Sequence, residues 1–348
     1  MTASTKSAES ANSLFKKLTD FEEKEATWLV PEYIPSGALT TIAGDGGCGK
    51  TSVWVDLAAA VSTGRRCFFD PTPEGFQVGD PKKVVFLSAE DSIEIVLKKR
   101  LKAAKANLSN VLTASLQDDR FKELKFDSPL LKQMIETENP ALVIFDPLQG
   151  FIPEGVNMGS RSDMRGLLSP LIGIGESTGT AFVLIVHTNK RCGVYGRNRI
   201  ADSADIWDYS RSVLIVGKTP DGTRYLSHEK SNYCEAGQTV LFDIDDGLPV
   251  FRNYSSLRDC DFVRQSDYEN REAPQRTEAE GFILEYLRSG KQPTAELDAA
   301  AKARGISKSS LSRAKTKLSK DKVIGYKTEG FGTEKQWFTY LIEKGLPP

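Results

Sequence analysis

Cysteine is scarce in this 348-residue sequence and never closely paired: Cys48, Cys67, Cys192, Cys234 and Cys260 are scattered, and no CxxC occurs. That distribution excludes a disulfide framework and a cysteine zinc site, and points to free thiols in a reducing cytoplasm. Histidine is scarcer still, with only His187 and His228. Long hydrophobic runs are missing too. The longest span five to seven residues, as at Ala181 to Val186, well short of the ~20 that cross a bilayer, so no membrane partner is expected. The N-terminus carries Lys6 and Glu9 without an apolar core and does not read as a signal peptide.

Charge of one sign is lacking overall, since 46 Lys+Arg face 47 Asp+Glu. With 39% hydrophobic and 27% charged residues, the chain is core-forming, and collagen-like, low-complexity and wholly disordered classes are excluded. At roughly 100 to 200 residues per domain, two domains are expected. The balance hides an asymmetry: from Arg276 onward there are 14 basic against 9 acidic residues, and before it 32 against 38. A modestly basic C-terminal module follows.

Residues 1–25 read as a polar, frayed tail. Over 26–252, β-branched apolar runs alternate with helical stretches, the pattern of an α/β fold with a mostly parallel sheet flanked by helices. Strands are expected at Leu39 to Ala43, Val84 to Ser88, Leu142 to Phe145, Phe182 to Val186, Val213 to Val216 and Val240 to Ile244. Residues 253–275 are polar without periodicity and read as a linker. In 276–348, helical patterns near Glu278 to Arg288, Thr294 to Ala303 and Ser307 to Lys320 precede a two-stranded hairpin, the arrangement of a small winged helix-turn-helix domain.

Gly44-Asp-Gly-Gly-Cys-Gly-Lys50-Thr51 fits GxxxxGK[ST] between a strand pattern and an apolar helical one. In that setting Gly44, Gly46, Gly47 and Gly49 let backbone N–H groups wrap phosphates, and Lys50 reaches the β and γ oxygens. Thr51 ligates Mg²⁺, and Ser52 completes the nucleotide-contacting set. ATP and Mg²⁺ are the expected ligands. Ala141-Leu-Val-Ile-Phe-Asp146 is a buried strand ending in a carboxylate, the Walker B pattern, which makes Asp146 the second Mg²⁺ ligand.

Pro147 follows Asp146, so the acid that orients the attacking water must come from another strand. Val84-Val-Phe-Leu-Ser-Ala-Glu90-Asp91 is the donor. Asp91 followed by Glu94 resembles a helix capping box, which leaves Glu90 for chemistry, although either acid could face the site. His187 ends the apolar strand from Ala181, at the same sheet edge, where it could sense a γ-phosphate. His228 shows no such setting.

These motifs, with Trp28 to Gly37, Ile185 to Lys190, Ser210 to Leu214 and His228 to Tyr233, make residues 28 to 245 similar to the RepA-type replicative helicases of plasmids and phages. Those are RecA-like ATPases related to the DnaB-type helicases. The resemblance implies an ATP-driven helicase or translocase forming a homo-hexameric ring. ATP would lie at each interface and single-stranded DNA in a central channel, with an initiator or a primase as partner. It also implies that Arg211 is an arginine finger and Lys230 a second one, although Asn232 stands where many relatives carry arginine. Arg100 matches a further site-associated arginine. The loops Gly150 to Arg165 and Lys190 to Asp205 would face the channel, the second bringing Lys190, Arg191, Arg197 and Arg199 with Tyr195 to the DNA backbone.

The C-terminal module lies outside the resemblance. There Lys308, Arg313, Lys315 and Lys317 would stand on the exposed face of a recognition helix, with Ile306, Leu311 and Leu318 toward a core, and would contact DNA or a protein partner. A RecA-like regulator or recombination accessory without unwinding, and a P-loop small-molecule kinase, are the alternatives.

Overall fold

The computed structural model describes residues 16–73, 79–189, 194–200, 204–219, 221–330 and 336–342, without the side chains of 204 and 266–277. Two compact units are present, the main division falling between Arg258 and Asp259.

The first unit is built on a nine-stranded sheet preceded by a small pair, β1 (Trp28–Val30) and β2 (Ile34–Pro35). Its strands are β3 (Leu39–Gly44), β4 (Val84–Ser88), β5 (Val111–Thr113), β6 (Leu142–Asp146), β7 (Ala181–His187), β8 (Ser212–Lys218), β9 (Arg224–Ser231), β10 (Thr239–Asp245) and β11 (Leu248–Ser255). In space they run β11-β10-β9-β8-β3-β7-β6-β4-β5. Strands β8 to β5 in that order are parallel, while β9, β10 and β11 add antiparallel pairs at one side. The sequence reading missed β9 because RYLSHEKS mixes charges with apolar residues, and β11 because five consecutive residues of it are exposed, leaving no buried face to set an alternation.

Both faces of the parallel part are covered, so its strands are apolar on both sides. Alternation sorts their residues: Leu142 and Ile144 of β6 pack under α1 (Lys50–Thr63), and Val143 and Phe145 pack in the opposite layer with Leu168 and Leu171 of the helix Arg161–Thr178. Along the chain α2 (Lys98–Ala103), α3 (Pro129–Glu138), α4 (Arg161–Thr178) and α5 (Ala204–Tyr209) follow. Helix α1 is buried around nearly its whole circumference, from Val53 and Trp54 to Val61, because sheet and flanking segments enclose it.

The second unit holds α6 (Asp259–Tyr286), α7 (Thr294–Ala303), α8 (Lys308–Lys320) and a three-stranded antiparallel sheet, β12 (Gln292–Pro293), β14 (Gln336–Leu341) and β13 (Ile324–Glu329) in spatial order. Leu311, Ala314 and Leu318 recur at helical spacing on α8 and pack against Leu297, Ile283 and Ile324. Ser307 caps α8 by accepting the Ser310 N–H at 3.1 Å.

Two expectations change here. Residues 253–275 hold the end of β11 and the first half of α6. That 28-residue helix starts with Asp259 and Asp261, which favour a helix N-terminus without creating a hydrophobic period. The expected two-stranded hairpin has a third strand, β12, too short to leave a sequence pattern. Among the described residues no helix is long and apolar enough to cross a membrane.

Candidate functional site

The phosphate-binding loop grows out of the last residue of β3. A Cβ on Gly44 would stand 2.5 Å from the Val216 carbonyl oxygen and 2.7 Å from Cys48 Sγ, so only glycine passes there. Gly49 caps α1 with φ +115, in the region that side chains avoid. Around Gly46 and Gly47 nothing stands within 4 Å of an added Cβ. An open cradle at a helix N-terminus is what an anionic phosphate chain fits.

Lys50 is 7% exposed, and its ammonium donates to the carbonyls of Gly44 and Asp45 at 2.7 and 3.0 Å. Those two hydrogen bonds hold the cation inside the loop. Thr51 and Ser52 follow in the first turn of α1, with Thr51 half-buried and Ser52 buried.

Strand β6 ends at Asp146, in register with Ser88 at the end of β4. Asp146 is 7% exposed and accepts the Trp54 indole N–H at 2.7 Å. Burial pushes its carboxyl up to about 6. The Trp54 hydrogen bond opposes that shift, and the Glu90 and Asp91 charges add to it. Thr51 and Trp54 lie three residues apart on α1, so the Thr51 position is on the helix face from which Trp54 meets Asp146. Among the described residues no group of three or more His, Cys, Asp or Glu side chains could hold a metal ion. The oxygen donors of Thr51 and Asp146 suit a Mg²⁺ that takes its remaining ligands from phosphates and water, and Mg²⁺ when bound would offset charge on the phosphate oxygens.

His187 closes β7 in register with Gly44. Its Nδ1 lies 3.5 Å from Lys50 Nζ, and its Nε2 lies 3.6 Å from Glu90 Oε1. Glu90 is exposed at the end of β4. The expected cap on Asp91 is not what forms. Ser92 is the N-cap, its hydroxyl accepting the Ile95 N–H at 3.2 Å, and the Asp91 N–H donates to Ser88 Oγ at 3.2 Å. The shorter Ser92 side chain sits one residue closer to the first turn, which opens with a π-helical segment, Ile93–Leu97. Glu90 therefore lies beside His187 at this sheet edge.

A family model described as an AAA domain matches residues 5–193, more than half of the chain and every strand end just described. The chain belongs to the AAA domain family. This is a family of RecA-like P-loop ATPases, which implies ATP and Mg²⁺ in general. Among curated proteins none matches the chain.

The cations of this AAA domain ATPase divide by their surroundings. Arg211 precedes β8, its backbone N–H donating to the Leu39 carbonyl at 2.8 Å, and its half-buried guanidinium has no side-chain partner among the described residues. Arg100, half-buried on α2, likewise has none.

Lys230 departs from the role of a second finger. Its ammonium donates to the carbonyls of Trp207, Asp208 and Ser210 at 2.8, 3.1 and 2.7 Å, capping the C-terminal end of α5. Desolvation lowers its pKa, with Arg211 and Arg197 acting in the same sense and Asp208 against it.

Lys190 and Arg191 lie outside the described residues. Arg197 pairs with Asp208, which also takes Arg161. Arg199 departs from the expected grip on DNA: its side chain is 9% exposed and faces Asp45 of the phosphate loop at 3.3 Å. A buried, paired guanidinium is withdrawn from a backbone in the solvent. In the second unit Lys308 and Arg313 occupy exposed positions, whereas Lys315 pairs with Asp298 and Lys317 with Glu280. His228 is buried in a structural setting, taking the Gly237 N–H at 2.8 Å on Nδ1, facing Ser212 Oγ at 3.2 Å through Nε2, and stacking on Tyr33. Sequence reasoning missed Trp54, Asp45 and Thr188. Trp54, one turn beyond Thr51, left a signal only in its helical spacing.

Proposed function

We propose that this AAA domain ATPase is an ATP-driven DNA helicase or translocase working as a hexameric ring, in which Arg211 of one subunit completes the ATP site of the next. The observation that carries this reading is the place of Arg211. It sits beside Leu39, at the start of β3, while the phosphate loop leaves the other end of that strand at Gly44. At ~3.3 Å per residue the two ends are about 16 Å apart, too far for a guanidinium to reach its own γ-phosphate. A guanidinium with no side-chain partner among the described residues, at that distance, suits a site supplied from a second copy.

The DNA part of the reading rests on Arg197 and the neighbouring basic loop, and on the second unit read as a winged helix-turn-helix. In it α7 and α8 meet at Gly305, which has φ +82, and β13 and β14 form the wing. Lys308 and Arg313 are exposed on α8 and would face a phosphate backbone or an initiator or primase partner.

Mixing tests the ring. Arg211→Ala subunits offer no finger, and Lys50→Ala subunits bind ATP poorly but carry Arg211. Activity reappearing above both parents in mixed complexes supports trans action. Complexes that form and stay inactive remove it. Light scattering with an ATP analogue and single-stranded DNA then reports ring size, and a forked duplex separates unwinding from a regulator that only binds.

A further inference from the structure

The phosphate loop carries a carboxylate of its own. Asp45 directly follows Gly44, and a triphosphate entering the loop would meet a like charge there. Asp45 does not stand alone, however. One of its oxygens accepts the Thr188 hydroxyl, and the other lies 3.3 Å from Arg199 Nη2. Its backbone carbonyl is one of the two that hold the Lys50 ammonium, at 3.0 Å.

Arg199 is the fixed member of the pair, its side chain 9% exposed against 55% for Asp45. Its Nη1 lies 3.4 Å from the Tyr225 hydroxyl. Tyr225 is 2% exposed and lies across β8 over Gly217, where an added Cβ would stand 2.1 Å from the ring. The backbone is tied as well, through an Asn189 N–H donated to the Arg199 carbonyl at 2.9 Å and a bridge between Thr188 and Ile200. A buried guanidinium held from behind and aimed at a half-exposed carboxylate has a defined electrostatic task.

We infer that Arg199 is a positioning residue of the nucleotide site: by neutralising Asp45 it keeps the phosphate loop net positive toward a nucleoside triphosphate, and with Thr188 it fixes the Asp45 carbonyl that orients Lys50. The inference needs only the nucleotide-binding role of the family and is independent of any DNA contact. Arg199 acts through Asp45, so the two residues must be coupled.

The test is equilibrium binding of Mg²⁺–ATPγS and Mg²⁺–ADP to the full chain as wild type, Arg199→Gln, Asp45→Asn and the double variant. Arg199→Gln should weaken ATPγS about tenfold, as one uncompensated charge near a polyanion does, and ADP less. Asp45→Asn alone should bind at least as tightly as wild type. The double variant should return to within about threefold of wild type, the signature of a coupled pair. A double variant as weak as Arg199→Gln, or an Asp45→Asn as weak, would overturn the inference and leave the pair a structural tie. If Arg199→Gln fails to fold, Arg199→Lys, which keeps the charge, should bind like wild type while Asp45→Asn still decides the sign.

Discussion

The imidazole of His187 stands 3.6 Å from the Glu90 carboxylate, joining the end of β7 to the end of β4. Its other nitrogen lies 3.5 Å from the Lys50 ammonium, so one ring touches both the phosphate-binding cation and the acid. Glu90→Gln should still bind ATP, while kcat falls roughly 10² or more, as loss of a water-orienting base does. Asp91→Asn should change kcat little. The reverse result in steady-state kinetics would move the role to Asp91.

Lys50→Ala should weaken ATP binding strongly, because its ammonium is held inside the cradle by the Gly44 and Asp45 carbonyls. Asp146→Asn keeps an acceptor for Trp54 but removes the charge that would hold Mg²⁺. Hydrolysis should be lost in both. Turnover within about twofold of wild type in either variant contradicts this assignment.

Trp54→Phe isolates the indole hydrogen bond. That bond favours the ionised form of Asp146, whose pKa burial already brings to about 6. Without it the pKa rises further, so the acid limb of Mg²⁺-dependent turnover should shift to higher pH. A pH profile that does not move would show that the Trp54 contact is packing alone.

Two buried groups pull stability in opposite directions in acid. The raised pKa of Asp146 contributes stability that is full below about pH 4 and is lost as pH rises through about 6. Burial lowers His228 from its ordinary 6.5 to about 4, which contributes stability present above about pH 6.5 and lost as pH falls through about 4. Each amounts to about 3 kcal/mol and the two offset one another. His228→Gln should therefore lose less stability than wild type on acidification from pH 7 to 4, and Asp146→Asn should lose more. Urea midpoints across that range measure both.

Lys230→Met separates a cap from a finger. Removing three charge-assisted hydrogen bonds to the end of α5 should lower stability by about 1 to 3 kcal/mol. A finger predicts instead a large fall in turnover with the urea midpoint unchanged.

The phosphate loop, the strand ending in Asp146 and the strand that precedes Glu90 were legible in the amino-acid sequence because each is local. Glycines needed for a turn, a lysine and threonine at a helix start, and an acid closing an apolar run all leave their mark within a few residues. The parallel sheet was legible for the same reason, as β-branched runs of strand length. Strands β9 and β11 were not: β9 lies inside the sheet but mixes charged with apolar residues, and β11 is an edge strand, where the apolar pattern relaxes. The basic residues show where sequence stops. Arg197, Arg199, Arg211 and Lys230 look alike in one dimension, yet the fold makes one a partner of Asp208, one a buried counter-ion 154 positions from its carboxylate, one a cation without a partner among the described residues, and one a helix cap. Long-range ion pairs depend on which strand ends the crossovers bring together. That is set by the packing of the whole unit and by the cost of burying an uncompensated charge.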